Sequence, residues 1–270
     1  MAYYKGTRTI YSILILICIV GFWLFENFYT PATYSIENNG EDSNEFPKEL
    51  LPTSTTGEIV NHAYFSLSYN EPYEQAEWVA YTLDKKHLTY DDRKRPYFIE
   101  DPFVASKSAD WRNYKGSGYD RGHLVPAGDR RFSLQAYNET FYTSNISPQD
   151  REFNAGIWND LEQQTRRWAK KYGTLYVYTG GVLESGLEEI GEEDVDVPHV
   201  FYKIVARRQG NKINTIAFLI PNKHQSIPLR NFIVSIDDIE KVTEIDFFTE
   251  LPATQQDAIE NRKNTIDWSF

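Results

Sequence analysis

The chain has 270 residues, enough for one sizeable domain with short appendages. Hydrophobic residues at 41% and aromatics at 15% supply too much apolar side chain for wholesale disorder. The net charge of −11 argues against a broad basic groove, but the acid is unevenly spread. Residues 91–170 carry 13 Lys+Arg against 12 Asp+Glu, whereas the remainder carries 15 against 27. The acidic excess therefore lies outside the central stretch, where a phosphate-bearing ligand is not excluded. The single cysteine, Cys18, rules out an intrachain disulfide, so the fold must rest on its core.

Ile10 to Phe25 is almost wholly apolar and uncharged. As a helix these residues span roughly 24 Å, a little short of a bilayer core. Tyr3, Tyr4, Tyr11, Trp23 and Tyr29 could extend the span as interfacial anchors. Residues 1–29 are accordingly expected to be a membrane anchor, with a cleavable signal segment as the rival. No small-x-small cleavage pattern follows the run, which favours the anchor. Lys5 and Arg8 precede the run and Glu26 follows it. That asymmetry implies an extracytoplasmic domain anchored to the cell membrane, or a secreted one if the segment is cleaved. Residues 30–57, rich in Asn, Glu, Ser, Thr and Pro, read as a flexible linker, and the globular domain is expected over 58–270.

Residues 64–69 and 77–83 read as strands, and the latter precedes a short basic cluster, Arg93-Lys94-Arg95. Residues 110–118 form a polar loop. Beyond the central stretch, Trp158, Leu161, Thr165 and Trp168 recur at helical spacing, ending at Gly173. Strands follow at 175–178, 200–207 and 213–220, the last two joined by a turn over 209–212. Residues 186–196 are acidic and loop-like, and 236–240 looks like a short capped helix. Many strands with two or three helices predict an α+β domain with a mainly antiparallel sheet.

The central stretch opens with Tyr119-Asp120-Arg121-Gly122-His123-Leu124-Val125-Pro126-Ala127. It continues through Asn145-Ile146-Ser147-Pro148-Gln149 and closes with Asn154 to Glu162. These side chains suit phosphodiester hydrolysis. His123, with an ordinary pKa of about 6.5, can serve as a base near neutral pH. Arg121 offers phosphate a planar fork of donors. Asn154 can give a hard divalent cation a neutral oxygen ligand that leaves the ion's charge uncancelled. Glu162, about two helical turns on, can accept hydrogen bonds from water on such an ion. Each residue alone has a bland reading, as a structural His, a helix N-cap or a solvated Glu. Their joint occurrence carries the argument.

That joint pattern resembles the DNA/RNA non-specific endonuclease family, which includes mitochondrial endonuclease G. The likeness runs from about Glu58 to Leu251 and includes Trp78-Val79-Ala80-Tyr81, Tyr178-Thr179-Gly180-Gly181 and Phe201-Tyr202-Lys203. The resemblance implies a ββα-metal active-site unit and a magnesium or manganese cofactor. It further implies DNA and RNA as substrates, 5′-phosphate products and a homodimer. In it His123 is the general base and Asn154 the direct metal ligand. Arg121 contacts phosphate, Glu162 orients the ion's waters, Asn145 supports the site near the transition state, and Asp120 braces the motif. A catalytically idle nucleic-acid-binding module and a phosphodiesterase of small nucleotide diesters are the alternatives. His62, His87, His199 and His224 are not at metal-ligand spacing and are expected to be structural or superficial. Arg130 and Arg131 are open to either a phosphate or a surface role, and Lys203 could face either way. Trp158 and Trp168 are expected in the core.

Overall fold

The computed structural model describes residues 3–29, 34, 46–210 and 212–270, in two compact units, Met1–Thr33 and Tyr34–Phe270. The first holds helix α1 (Tyr3–Phe28). Its stretch Arg8–Phe25 is long and apolar enough to cross a membrane by length and composition. The second holds β1 (Ile59–Asn61), β2 (Ser66–Asn70), β3 (Gln75–Leu83), β4 (Asp120–His123) and the short helix α2 (Leu134–Glu139). Then come β5 (Ile146–Gln149), α3 (Arg151–Phe153), a π-helical turn Asn154–Trp158, and α4 (Asn159–Tyr172). There follow β6 (Leu175–Gly181), β7 (Glu188–Ile190), β8 (Val195–Val197), β9 (Val200–Gln209), β10 (Lys212–Pro221) and β11 (Ile233–Val234). The chain closes with α5 (Ile236–Thr243) and α6 (Ala253–Glu260).

Seven strands form one sheet in the order β1-β2-β3-β6-β9-β10-β11, every pairing antiparallel. Side chains alternate across it, so each strand feeds two cores. On one face Val79, Tyr81, Val177, Phe201, Val205 and Phe218 pack with Trp158, Leu161 and Trp168. The predicted helical stripe is thus buried, and both tryptophans are core residues. On the other face Trp78, Ala80, Tyr178, Tyr202 and Ile204 pack with Ile236, Ile239, Phe247 and Ile259. Helix α4 ends at Gly173, whose φ of 88° few other residues tolerate. The turn between β9 and β10 bends at Gly210, with φ 62°. Asn211 within it lies outside the described residues.

Two expectations need correction. Residues 46–57 were to belong to a flexible linker, yet Leu50 is fully buried in the second core. Tyr178 donates to its carbonyl at 2.8 Å, and Trp78 Nε1 donates to the Thr53 carbonyl at 2.8 Å. Few apolar residues suffice there because backbone carbonyls, invisible to composition, supply the attachment. The expected loop over 186–196 instead contains the antiparallel pair β7–β8. Glu188, Glu189, Glu192, Glu193 and Asp194 are exposed while Ile190 and Val195 enter a third cluster with Phe98, Tyr137 and Phe141.

The β4–β5 pair stands apart from the large sheet, with Asp120 opposite Gln149 and His123 opposite Ile146. It continues through Asp150, whose Oδ1 accepts from Glu152 N at 2.9 Å and Phe153 N at 3.0 Å, capping the helix that follows. Two short strands followed by a helix make the ββα arrangement expected from the resemblance. A Cβ on Gly122 would lie 2.1 Å from the side chain of buried Gln149. Gly122→Ala is therefore expected to lower stability by about 1–3 kcal/mol, read as a fall in the urea midpoint. An unchanged midpoint would mean that Gln149 has room to move.

Candidate active site

Strand β4 presents Arg121 and His123 to an aromatic floor. The Arg121 guanidinium lies 4.7 Å from the Phe98 ring centre and 5.5 Å from that of Trp111. Arg95 lies 5.0 Å from the same Phe98 ring and 5.5 Å from Phe141. The His123 ring is 5.7 Å from Phe98 and meets Phe141 edge-on at 5.0 Å. The rings shield part of Arg121, while Arg95 is exposed, so solvent moderates the repulsion between the two. Burial, and then Arg95, draw the Arg121 pKa down. An anion between the two guanidinium groups relieves that repulsion. Arg95, from the basic cluster, thereby joins the site.

Burial, followed by the charges of Arg95 and Arg121, presses the His123 pKa down to about 3. The imidazole is neutral at neutral pH, and the same field opposes its protonation until an anion offsets the two guanidinium charges. Its Nε2 is buried without a hydrogen-bond partner.

The helix side is joined to β4 through Asp120. Asp120 Oδ2 accepts from Asn154 Nδ2 at 3.1 Å, and Oδ1 accepts from Arg151 Nη2 at 3.1 Å. An ionised carboxylate only accepts, so the amide must turn its NH2 toward Asp120. Asn154 Oδ1 is thereby directed elsewhere and has no partner among the described residues. Asn154 opens the π-helical turn, in which Gly156 leaves helical geometry at φ −99° and ψ −112°. Such bulges re-aim side chains and frequently occur at functional sites.

Glu162, one turn into α4 and largely buried, accepts from Arg166 Nη2 at 3.2 Å. Arg166 also pairs through Nε with Asp129, which takes the Tyr81 hydroxyl at 3.2 Å. Opposite stands Lys203. In the sheet Val79, Thr179 and Lys203 lie in one row, on the face that α4 covers. Lys203 is fully buried, its Nζ 2.7 Å from Thr179 Oγ1 and 4.8 Å from the Trp158 ring centre. Burial pushes the Glu162 pKa up, while Arg166 and Lys203 pull it back. Burial pulls Lys203 down, while Glu162 and Asp129 hold it up. Arg166 and Lys203 offset the burial of Glu162 only in part, and the balance leaves its carboxyl above the ordinary range. A lysine inside the apolar run Phe201-Tyr202-Lys203-Ile204-Val205, and an arginine four residues after Glu162, were the signals for the last two members.

Asn145, expected to support the site near the transition state, is tied to backbone. Its Oδ1 accepts from Val125 N at 2.8 Å, and its two amide hydrogens go to the carbonyls of Val125 and Thr140 at 3.1 and 2.9 Å. Fully buried and spent on backbone, it positions the segment after His123. Arg130 is also a core residue, donating to the Tyr64 and Thr82 carbonyls at 3.3 and 3.1 Å. Arg131 donates to the Asp91 carbonyl. His62 pairs with buried Asp101 at 2.8 Å, His87 closes the cap of a short helix, and His199 and His224 lie on the surface.

Asn154 Oδ1 and the Glu162 carboxylate are hard oxygen donors, one lacking a donor of its own, and this set suits a hard divalent cation.

The family profile of DNA/RNA non-specific endonucleases matches residues 42–254. The mouse mitochondrial nuclease EXOG is 36% identical over 219 residues, covering 74% of this chain and 59% of its own length. Human mitochondrial endonuclease G is 33% identical over 211 residues, covering 73% of this chain and 71% of its own. The chain thus spans about three-fifths of the length of the EXOG relatives it matches. A crystal structure of an EndoG/EndoGI complex, concerned with EndoG inhibition, contains a chain that superposes with TM-score 0.66 at 31% identity. The superposition covers 73% of this chain and 88% of that one. The expected extracytoplasmic, cell-membrane-anchored location is overturned by these names. The mouse, human and fission-yeast relatives are mitochondrial nucleases. Flanking charge orients an apolar segment in a membrane but does not say which membrane. By matched length and identity, the chain belongs to the DNA/RNA non-specific endonuclease family.

Proposed function

We propose that this protein hydrolyses internal phosphodiester bonds of DNA and RNA, leaving 5′-phosphate ends. The observation that carries the proposal is the Asn154–Asp120 hydrogen bond, which turns the Asn154 oxygen outward beside the strand that bears His123. Arg95 and Arg121 receive the scissile phosphate on the aromatic floor. His123, neutral through burial and neighbouring charge, takes a proton from the attacking water. The water oxygen bonds to phosphorus as the P–O3′ bond breaks, and the 3′ oxygen leaves to be protonated. Asn154 and Glu162 are the residues to hold magnesium or manganese, Asn154 directly and Glu162 through water. Such an ion supplies charge stabilisation to the phosphoryl and leaving oxygens. Asn145 and Asp120 position these groups. An idle binding module is disfavoured, because a protein that only holds nucleic acid needs no general base such as His123 beside Asn154 and Glu162.

His123→Ala is expected to slow plasmid nicking by about 10²–10⁴-fold without lowering the thermal midpoint. Near-normal turnover in that variant would remove His123 from the chemistry. Cleavage of plasmid and of RNA is expected to stop in EDTA and to return with magnesium, whereas undiminished metal-free hydrolysis would contradict the role of Asn154.

Lys203 sets the acid side of the pH profile through Glu162. Its charge lowers the Glu162 pKa, so removing it lets the carboxylate protonate at higher pH. Lys203→Met is expected to move the acid limb of kcat/KM upward in pH, and Lys203→Arg to restore it. An unmoved limb in Lys203→Met would make the lysine a packing residue only.

A further inference from the structure

The second face of the sheet carries a charge problem that the catalytic reading leaves unused. Asp237 and Glu240 lie one helical turn apart on α5, and Glu260 is the last residue of α6. One carboxylate oxygen from each lies within 4.8 Å of the others. Acidic clusters are ordinary on surfaces, but this one is anchored in the core. Glu260 is only 8% exposed, and its Oε1 is buried with no hydrogen-bond partner. Burial, then Glu240, Asp246, Asp237 and Asp257, push the Glu260 pKa up to about 8. Burial, offset by the Phe247 amide, together with Asp246 and Asp237, pushes Glu240 up to about 6. Lys241 and Lys263 act on neighbouring Asp238. The leading charges on Glu260 are all negative.

Leaving a buried oxygen unpartnered among like charges costs stability unless a proton or a cation compensates it. Three protein carboxylates suit calcium, which accepts many protein oxygens in flexible geometry, better than magnesium, which keeps most of its waters. The donors are all hard oxygens, without the nitrogen or sulfur that would favour zinc or copper. Asp237 is exposed, so solvent and ions reach the group. Glu240 is already fixed, its Oε1 accepting from Phe247 N at 2.9 Å.

We propose that Asp237, Glu240 and Glu260 form a structural calcium site that ties α5 to α6, on the sheet face opposite α4. The site is separate from Asn154 and Glu162 and takes no part in hydrolysis. Bound there, calcium supplies Glu260 Oε1 with its missing partner and offsets the local negative charge. It also fixes the C-terminal helices against Ile236, Ile239 and Ile259.

The test is calorimetric titration of calcium chloride into the metal-stripped full chain in detergent, comparing wild type with Glu260→Gln and Glu240→Gln. Each variant is expected to lose one calcium per chain, or to bind it about tenfold more weakly or worse, as ligand charge governs calcium affinity. The thermal midpoint of wild type is expected to rise with calcium, and that of the variants to stay put. In EDTA, Glu260→Gln should melt no lower than wild type, since it removes a buried like charge; this establishes that the variant is folded. Magnesium-dependent nicking should be unchanged. Equal calcium stoichiometry and affinity in all three proteins would overturn the proposal. So would absence of calcium binding together with a higher midpoint in Glu260→Gln, the signature of a shared proton.

Discussion

A carboxylate that can only accept hydrogen bonds fixes the direction of the one neutral oxygen on which the candidate site turns. Asp120 takes the amide hydrogens of Asn154, so the amide oxygen has to face the other way. The bond also joins two pieces of chain of different origin, a short strand and the π-helical start of a long helix. Neither piece has much stability of its own. The β4–β5 pair has only four residues a side, and the π-helical turn is an uncommon backbone form. Each is held because the other gives its polar groups a partner.

Around that bond the protein separates its charges into two environments. On the strand side, Arg95 and Arg121 crowd over aromatic rings, with Asp120 acting on Arg121, and the same field keeps His123 neutral. On the helix side, Glu162, Arg166, Asp129 and Lys203 compensate one another in the core. The first environment carries an excess of positive charge, and in the second Arg166 and Lys203 partly offset the burial of Glu162. Under the proposed function a phosphate would complete the first. The net charge of −11 describes neither place, which is why whole-chain electrostatics said so little about the substrate.

Much of the architecture was legible in the sequence wherever one physical period ruled a segment. The stripe Trp158, Leu161, Thr165, Trp168 marked α4, and the apolar runs around Val205 and Ile216 marked β9 and β10. The motif residues were legible because His, Arg, Asn and Glu each bring a chemistry the others lack. The rest depended on partners distant in the chain. Lys203 could face either way until Thr179 lay beside it. Arg130 was open to a phosphate or a surface role until the carbonyls of Tyr64 and Thr82, far upstream, enclosed it. How Asn145 would support the site was not legible, because its partners are backbone groups. Residues 46–57 read as a linker because their attachment runs through main-chain carbonyls, which leave no mark on composition.

The central claim, that Asp120 orients the metal-binding oxygen, is tested most directly by the magnesium dependence of plasmid nicking in Asp120→Asn. An asparagine at 120 can pair with Asn154 in either orientation, so the oxygen loses its fixed direction. The account predicts that half-maximal cleavage requires about 10–100-fold more magnesium, with nearly normal turnover at saturation. A magnesium dependence indistinguishable from that of the wild type would contradict it.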